Sequence, residues 1–363
     1  MKPYSEQIII GLIMDAMSMR KLLLIAVISG SSAVALSQQA TGFKITEKPD
    51  KKQVDILYNS KLLTAYCYYD SSRKPFLFPV NTVDGITVTR GYPFQPVAGE
   101  RTDHPHHTGI WLNYESVNGL DFWNNSTAIA PEKRDRYGTI VHQKIVDKKT
   151  NDNTASLTTS AIWIRPDGKT LLNEETVFNF SVQGNDFIID RITKLTAADE
   201  TVLFKDVKDG MFAIRVAREL ELPSKESSSY IDDKGNITKV PASGKNVTGM
   251  YYSSTGLTGD SVWSSKGKWA ILTGKKDGKD ITIGIIDHPA NVGYPAYWHA
   301  RGYGLFALNP LGRKIFSNGK EELNFSLTPG QSTTFRYRII IHSGPVLSNE
   351  KMNKLSDDFE KVK

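Results

Sequence analysis

The chain has 363 residues and a formal net charge of +6, and 39% of its residues are hydrophobic and 23% charged. This globular composition excludes a disordered chain, a collagen-like repeat and a coiled coil. The basic residues never form a run of four, so the net charge predicts no nucleic-acid partner. The length suits one large domain, because all-β domains often run this long without a break.

The first segment with a distinct pattern is an export signal. A basic start at residues 19–21 precedes an apolar run from Leu22 to Leu36, and Ala35-Leu36-Ser37 places small residues where a signal peptidase cleaves. We predict a signal peptide over residues 1–37. The predicted mature protein, residues 38–363, is periplasmic or secreted and forms a single domain.

The residues before this leader fit no signal design. Residues 1–16 suggest that the start is assigned too early and that Met17 or Met19 is the true one. The apolar run is too short for a membrane span, so no stable membrane span is expected after cleavage.

Farther along, short apolar and β-branched runs alternate with turn residues, which is the pattern of antiparallel hairpins. The clearest turns are Asn59-Ser60, Pro166-Asp167-Gly168 and Gly184-Asn185-Asp186. Because no βαβ alternation is present, the pattern predicts an all-β fold, a large antiparallel β-sandwich. The predicted strands include Val54–Tyr58, Leu62–Tyr69, Thr154–Ile164, Leu171–Val182, Phe187–Leu195, Trp269–Thr273, Ile281–Asp287 and Phe335–His342.

The C-terminus carries the one helical pattern. Ser348 is a suitable N-cap for this helix. Elsewhere, the polar residues 224–244 predict a long surface loop. We predict a short closing helix that packs on a sheet. Its apolar face consists of Leu347, Met352, Leu355 and Phe359.

A dense histidine segment lies at Asp103-His104-Pro105-His106-His107, which holds three of the seven histidines. Imidazole titrates near neutral pH, so this density favours a catalytic or metal site over a hydrogen-bonded structural cluster. Pro105 disfavours helix at His104. In an extended segment, His104 and His106 would face one side and His107 the other.

A second dense segment runs from Asp287 to Gly304 and repeats the tripeptide Asp-His-Pro. We hypothesise that the two histidine segments meet in one cleft. The candidate site residues of the second segment are Asp287, His288, Tyr297, Trp298, His299 and Arg301.

Aromatic and polar residues also alternate just after the first histidine segment. Trp111 and Trp123 lie near Asn118 and Asp121. Aromatic faces contact the C–H groups of a sugar, while amides and carboxylates bind its hydroxyls. This stretch therefore predicts a sugar site, with core packing of the two Trp residues as the alternative.

Charged residues beside apolar runs give a weaker signal. Arg215 is expected to reach a site carboxylate or hydroxyl, or simply to pair with an acid, and Arg90 is expected to bind substrate hydroxyls or an acidic group. Asp206 and Asp209 flank Lys208 and are candidates for a general base, although a solvated strand end is the preferred interpretation.

Together, Thr89-Arg90 and the segments at 103–111, 117–123 and 287–312 resemble the PmoA-like family, commonly labelled methane oxygenase PmoA, a domain of unknown function. The resemblance implies a β-rich fold similar to the galactose-mutarotase supersandwich, in proteins of carbohydrate-degrading bacteria. Mutarotase-like proteins use a His acid and a Glu base around a sugar ring. Neither histidine segment of this chain supplies a Glu in an obvious base position.

The leading hypothesis is an exported enzyme that acts on a carbohydrate or a carbohydrate-derived small molecule by acid/base chemistry. His106 and His107 with His299 are the predicted catalytic histidines, and Asp103 or Asp287 is expected to orient an imidazole. Trp111, Trp123 and Trp298 are predicted to form a sugar platform. The full set of predicted substrate-binding residues is Arg90, His104, Trp111, Asp121, Trp123, His288, Tyr297, Trp298 and Arg301.

Two alternatives stay open. No cofactor is predicted by the leading hypothesis, but a metal-dependent oxygenase or hydrolase would use a divalent metal held by His104, His106, His107 and His299. A non-catalytic sugar-binding module would bind without turnover.

Overall fold

The structure is a computed structural model that describes residues 41–224, 227–240 and 246–363. The predicted signal peptide, residues 1–37, lies outside the described residues. The described residues belong to one compact unit. In the described ranges the elements are β1 Phe43–Lys48, β2 Gln53–Tyr58, β3 Lys61–Cys67, β4 Phe76–Val80, β5 Ile110–Tyr114, β6 Thr139–Thr150, β7 Thr154–Ile164, β8 Thr170–Gln183, β9 Asp186–Ala197, β10 Val202–Phe204, β11 Gly210–Arg215, β12 Ser228–Ile231, β13 Ile237–Val240, β14 Met250–Ser253, β15 Trp269–Lys276, β16 Lys279–Asp287, β17 Tyr297–Arg301, β18 Leu305–Asn309, α1 Arg313–Phe316, β19 Phe325–Leu327, β20 Ser332–Ser343 and α2 Asn349–Phe359.

Most of these strands form two large antiparallel sheets. The first sheet has the order β1-β2-β3-β4-β5-β11-β18-β17, and the second sheet has the order β14-β15-β16-β20-β9-β8-β7-β6. Two short pairs, β10-β19 and β12-β13, complete the described strands. The predicted all-β antiparallel sandwich with a short C-terminal helix is confirmed. No helix of the described residues is long and apolar enough to cross a membrane.

Local turn chemistry explains why the predicted hairpins form. Asn59 and Ser60 have φ values of 48° and 65°, as a two-residue hairpin turn between β2 and β3 requires. Gly168, with φ of 85°, closes the turn between β7 and β8. The loop predicted over residues 224–244 is wrong in part, because β12 and β13 pair there as a hairpin.

The main core lies between the two sheets. The alternation of β11 sends Phe212 and Ile214 into this core and Ala213 and Arg215 to the opposite face. Across the core, the ring centroids of Phe212 and Tyr337 lie 4.9 Å apart, which joins the first sheet to the second. The first sheet therefore has an inner face that packs in the sandwich and an outer face that carries other residues.

A cross-strand row on this outer face sets the position of the candidate site. Trp111 of β5 pairs with Ala213 of β11, Ala213 pairs with Ala307 of β18, and Ala307 pairs with His299 of β17. The two alanines leave room above the sheet between the larger side chains. Segments that cross over this row can therefore pack closely onto the sheet.

Helix α2 covers the outer face of the second sheet, as predicted. The Ser348 side chain accepts a hydrogen bond from the Lys351 N–H at 3.2 Å, so it is the N-cap that the sequence indicated. Met352, Leu355 and Phe359 are buried against strands of the second sheet. The helix thus closes the sandwich on the side away from the first sheet.

Truncating the last apolar residue of α2 tests this packing. Phe359 is fully buried and contacts His288 and the Arg338 guanidinium at 5.1 and 4.8 Å. We expect Phe359→Ala to lower the free energy of unfolding by about 3–5 kcal/mol in urea titrations. Lys354→Ala, on the exposed face of the same helix, should change it by less than about 0.5 kcal/mol. Equal stability of the two variants would contradict a packed helix.

Candidate active site

The first histidine segment is a tight turn rather than an extended strand. The His104 carbonyl accepts a hydrogen bond from the His107 N–H at 3.0 Å, with Pro105 at the second position of the turn. The expectation that His107 faces away from His104 is therefore wrong, because the turn brings the two rings face to face. His104 has φ of 44°, a left-handed conformation that costs a residue with a side chain about 1 kcal/mol.

Arg90 holds this turn in place. Its side chain is 1% exposed, and its guanidinium donates to the backbone carbonyls of Arg101, Asp103, His104 and His107 at 3.3, 2.8, 2.9 and 3.0 Å. A buried guanidinium requires this many acceptors to offset its lost hydration. The sequence predicted Arg90 as a substrate-binding residue, and the structure places it beneath the turn as a positioning residue.

Asp103 is the carboxylate at the centre of the turn. Its Oδ1 accepts hydrogen bonds from Arg90 and Arg215 at 2.8 and 2.7 Å, and its Oδ2 lies 3.0 Å from His104 Nδ1. Burial raises the pKa of Asp103, but His104, Arg215 and Arg90 together hold it well below its usual range. Asp103 is therefore ionised at neutral pH, and Arg215 reaches a site carboxylate as predicted.

The two histidine segments meet in a stack of four rings: Tyr303, His104, His107 and Trp111. Successive centroids lie 5.0, 4.7 and 5.3 Å apart, and the interplanar angles are 5°, 4° and 22°. Tyr303 comes from the second segment, so the hypothesis that both segments share one site holds for this residue. The His104 side chain is 39% exposed, which makes it the accessible imidazole of the stack.

His106 and His107, the leading catalytic pair of the sequence analysis, lie behind His104. His107 is 1% exposed, and its Nδ1 accepts a hydrogen bond from Arg215 at 3.1 Å. Burial lowers the pKa of both imidazoles well below the usual value, and neighbouring cations lower it further, so both are neutral. Lys74 donates to the His106 carbonyl at 2.6 Å, and burial lowers the pKa of this amine to about 7.

His299 is the third predicted catalytic histidine and lies on the same outer face. It is 2% exposed, and its Nδ1 lies 3.7 Å from Asp209 Oδ1. Burial lowers the pKa of His299 and raises the pKa of Asp209 to about 6, with Glu115 adding to the latter rise and Lys208 opposing it. Asp209, which the sequence analysis placed at a solvated strand end, is thus a partly buried carboxylate beside a site histidine.

A cleft of about 520 Å³ opens beside the ring stack. Tyr303 links the two, since it belongs to the stack and also lines the cleft together with Trp263, Arg301 and Asp260. The Arg301 guanidinium lies 4.5 Å from the Trp263 ring and 5.7 Å from the Tyr303 ring. This volume lies within the range of small-molecule sites, and the lining combines aromatic and charged groups.

The aromatic residues predicted as a sugar platform are buried. Trp111, Trp123 and Trp298 are at most 1% exposed, so none presents an open face in this conformation. Trp111 and Trp123 pack on the outer face of the first sheet, and Trp298 packs in the main core. The aromatic residues that line the cleft are Trp263 and Tyr303, and a single Trp within a polar, glycine-containing stretch was the only sequence signal for Trp263.

The repeated Asp-His-Pro tripeptide does not join the site. Asp287 Oδ1 accepts a hydrogen bond from Asn291 and Oδ2 accepts one from the Ala296 N–H, both at 2.8 Å. Burial raises the pKa of Asp287 to about 7. His288 contacts Phe359 of α2. Among the described residues, no imidazole forms a hydrogen bond with the Asp287 side chain. The prediction that Asp287 orients an imidazole is therefore not supported, and Asp103 is the remaining candidate.

Two further predicted residues have local partners. The Tyr297 hydroxyl donates to Glu321 at 3.1 Å, and the ring stacks on Phe316. Asp121 accepts hydrogen bonds from the backbone and side-chain nitrogens of Asn124 at 2.8 and 2.9 Å, so it closes the turn that carries Trp123. Neither residue lines the cleft.

The donor set for the metal alternative does not converge. Within the described ranges, no group of three His, Cys, Asp or Glu side chains is arranged to hold a metal ion. His104 and His107 stack ring on ring, and His299 lies beside Asp209, so the four histidines do not point to one centre.

Comparison with protein families assigns the chain. The model of a family of unknown function, DUF6807, matches residues 53–357. The chain belongs to that family. The predicted membership of the PmoA-like family is wrong, because the matching family is DUF6807. No curated protein sequence is significantly similar to this DUF6807 chain.

Several solved structures are similar to this chain at low identity. The GH36 α-galactosidase AgaB from Geobacillus stearothermophilus is 13% identical with a TM-score of 0.38, over 83% of this chain and 41% of AgaB. The galactosidase domain of the α-galactosidase–sucrose kinase AgaSK is 12% identical with a TM-score of 0.40, over 83% and 42%. Galactose 1-epimerase from Lactobacillus acidophilus NCFM is 10% identical with a TM-score of 0.34, over 85% and 100%. This chain thus spans about two fifths of the length of the two galactosidases.

Neutralising Asp103 tests the charge network of the turn. Asp103→Asn leaves Arg90 and Arg215 buried without their countercharge, so we expect a loss of about 3–5 kcal/mol in unfolding free energy at neutral pH. Because the folded pKa of Asp103 is depressed, its contribution exists above the unfolded pKa of about 3.9 and fades as pH falls toward the lower folded value.

Urea unfolding at neutral and acidic pH measures both effects. The difference in unfolding free energy between Asp103→Asn and the unsubstituted protein should become smaller in acid. Asp199→Asn, a change at an exposed turn, is the matched control and should have little effect. A gap independent of pH would contradict the ionised state assigned to Asp103.

Proposed function

We propose that this protein is an exported enzyme that acts on a carbohydrate or sugar derivative by acid/base chemistry beside the cleft lined by Trp263 and Tyr303. The observation that carries the proposal is the presence near Tyr303 of two imidazoles that each lie beside a carboxylate. Asp103 and His104 form one pair, and Asp209 and His299 form the other. Burial raises the pKa of Tyr303, and both Asp103 and Asp209 act on it electrostatically, so both pairs lie near this ring.

The first pair supplies an accessible imidazole. Asp103 is ionised and faces Nδ1 of His104, which leaves Nε2 for a substrate. The stacked rings of Tyr303 and His107 fix the plane of the His104 ring. An imidazole oriented in this way has the geometry to pass a proton to or from a bound substrate.

The second pair supplies a carboxyl group that titrates close to neutral pH. With a pKa of about 6, Asp209 exists in both protonation states under physiological conditions. Its neighbour His299 stays neutral because burial lowers its pKa. Asp209 therefore fits the role of a base or acid that complements His104.

Two such groups allow one proton to leave a sugar and another to be delivered to it, at a different atom in an isomerisation or at the opposite face of the same carbon in an epimerisation. One group takes the proton, the electron pair shifts within the substrate, and the second group donates a proton to the atom that receives it. No atom is gained or lost in an isomerisation or epimerisation of this type. In an elimination, the second proton goes to the departing oxygen.

Replacing His104 tests the proposed acid/base role. We expect His104→Asn to lower turnover about 100-fold or more, with little change in unfolding free energy, since Asn tolerates the left-handed backbone of this position. His288→Asn is the matched control and should keep full activity, because His288 lies against α2.

The assay follows a panel of sugars and oxidised sugars by proton NMR in heavy water, where exchange at carbon and new products are both visible. Full activity of His104→Asn would overturn the assignment of His104. Binding of sugars by the unsubstituted protein without any turnover would identify a binding module and overturn the proposed enzyme.

Asp209→Asn tests whether the Asp209 carboxylate is needed for activity and destabilises the folded protein. The folded pKa of about 6 lies above the unfolded value of about 3.9, so Asp209 destabilises the protein increasingly as pH rises across this interval. We expect Asp209→Asn to gain about 1–3 kcal/mol in unfolding free energy at neutral pH, to gain little near pH ~4, and to lose activity.

Unfolding in urea at several pH values, together with the NMR assay, provides the readout. A variant that is neither more stable at neutral pH nor less active would show that Asp209 is an ordinary surface carboxylate.

A further inference from the structure

The arginines around the site differ in whether they have a carboxylate partner. Four of them pair with an acid: Arg90 and Arg215 with Asp103, and Arg101 and Arg218 with Glu221, at 2.7–3.1 Å. Arg301 is the exception. In the described part of the chain, no hydrogen bond or ion pair engages its guanidinium, and its contacts are the rings of Trp263 and Tyr303.

The surroundings of Arg301 hold its guanidinium by cation–π contacts and leave its N–H donors without an acceptor in the described part of the chain. The residue is partly buried, and two aromatic rings near its guanidinium exclude part of the surrounding water. Guanidinium groups carry several N–H donors in a planar fork that matches a carboxylate in a bidentate way. Because Arg301 lines the cleft, an anionic group of a ligand bound there is the partner within its reach.

We infer that the cleft selects a sugar acid, whose carboxylate binds Arg301 while its ring lies against Trp263 or Tyr303. This inference rests on the proposed function and names the substrate class of the same site. Asp260 also lines the cleft, and no cationic group of the described residues pairs with its carboxylate. It repels a second anion and accepts hydrogen bonds from sugar hydroxyls, which orients the acid group toward Arg301.

Calorimetric titration of the full chain with matched sugars tests the inference. The probes are the methyl glycosides of glucuronic and galacturonic acid, the corresponding neutral glucoside and galactoside, and glucose 6-sulfate. At low salt we expect at least one uronide to bind about tenfold more tightly than its neutral partner, because charge-assisted hydrogen bonds are stronger than neutral ones.

Three variants separate a specific contact from overall charge. Arg301→Met should abolish the preference for the uronide, and Arg301→Lys should retain only part of it, because the ammonium lacks the planar fork. Arg165→Met removes the same charge at an exposed turn of the second sheet and should leave the preference unchanged.

The outcomes distinguish this inference from the proposed function. A neutral sugar that binds as tightly as its uronide, or a preference that survives in Arg301→Met, overturns the sugar-acid assignment and leaves the proposed function standing. A preference for the sulfate over both uronides overturns the carboxylate assignment. If none of the probes binds, the assignment and the carbohydrate function are both overturned.

Discussion

The contact on which the site depends is the shared carboxylate of Asp103 between two buried guanidiniums. Burying a charge costs several kcal/mol, and Arg90 and Arg215 are both at most 1% exposed. Asp103 and the carbonyls of the turn at 104–107 supply the acceptors that offset this cost. Charge and conformation are therefore linked, because the turn cannot open without leaving two cations buried and unpaired.

The two faces of the first sheet have different roles: the inner face forms the core of the sandwich, and the outer face carries the site. The inner face of the first sheet packs against the second sheet in the main core. The outer face carries Trp111 and His299 with two alanines between them, so the loops above can approach the strands closely. Rigid strands then fix the positions of side chains that come from segments far apart in the sequence.

Sequence patterns predicted features whose causes are local. The turn at Asn59-Ser60 and the N-cap at Ser348 were found because a few adjacent residues determine them. The two Asp-His-Pro tripeptides show the limit of such reasoning, since one forms the site at Asp103 and the other contacts α2. Whether Trp111 is buried or exposed could not be predicted for a related reason. Alternation assigns a residue to a face of the sheet, but it does not say what covers that face.

The pairing of charged groups indicates which side chains of the site remain available to a ligand. The described arginines of the site that pair with a carboxylate hold the structure of the site together. Burial keeps His106, His107 and His299 neutral. At the edge of the site lie three groups of a different kind: His104, Asp209 and Arg301. An exposed imidazole, a carboxyl group with a raised pKa and an unpaired guanidinium are the groups whose electrostatics a bound ligand changes most. Their placement around Tyr303 is the reason to assign the proposed substrate contact to this edge rather than to the buried histidine pair.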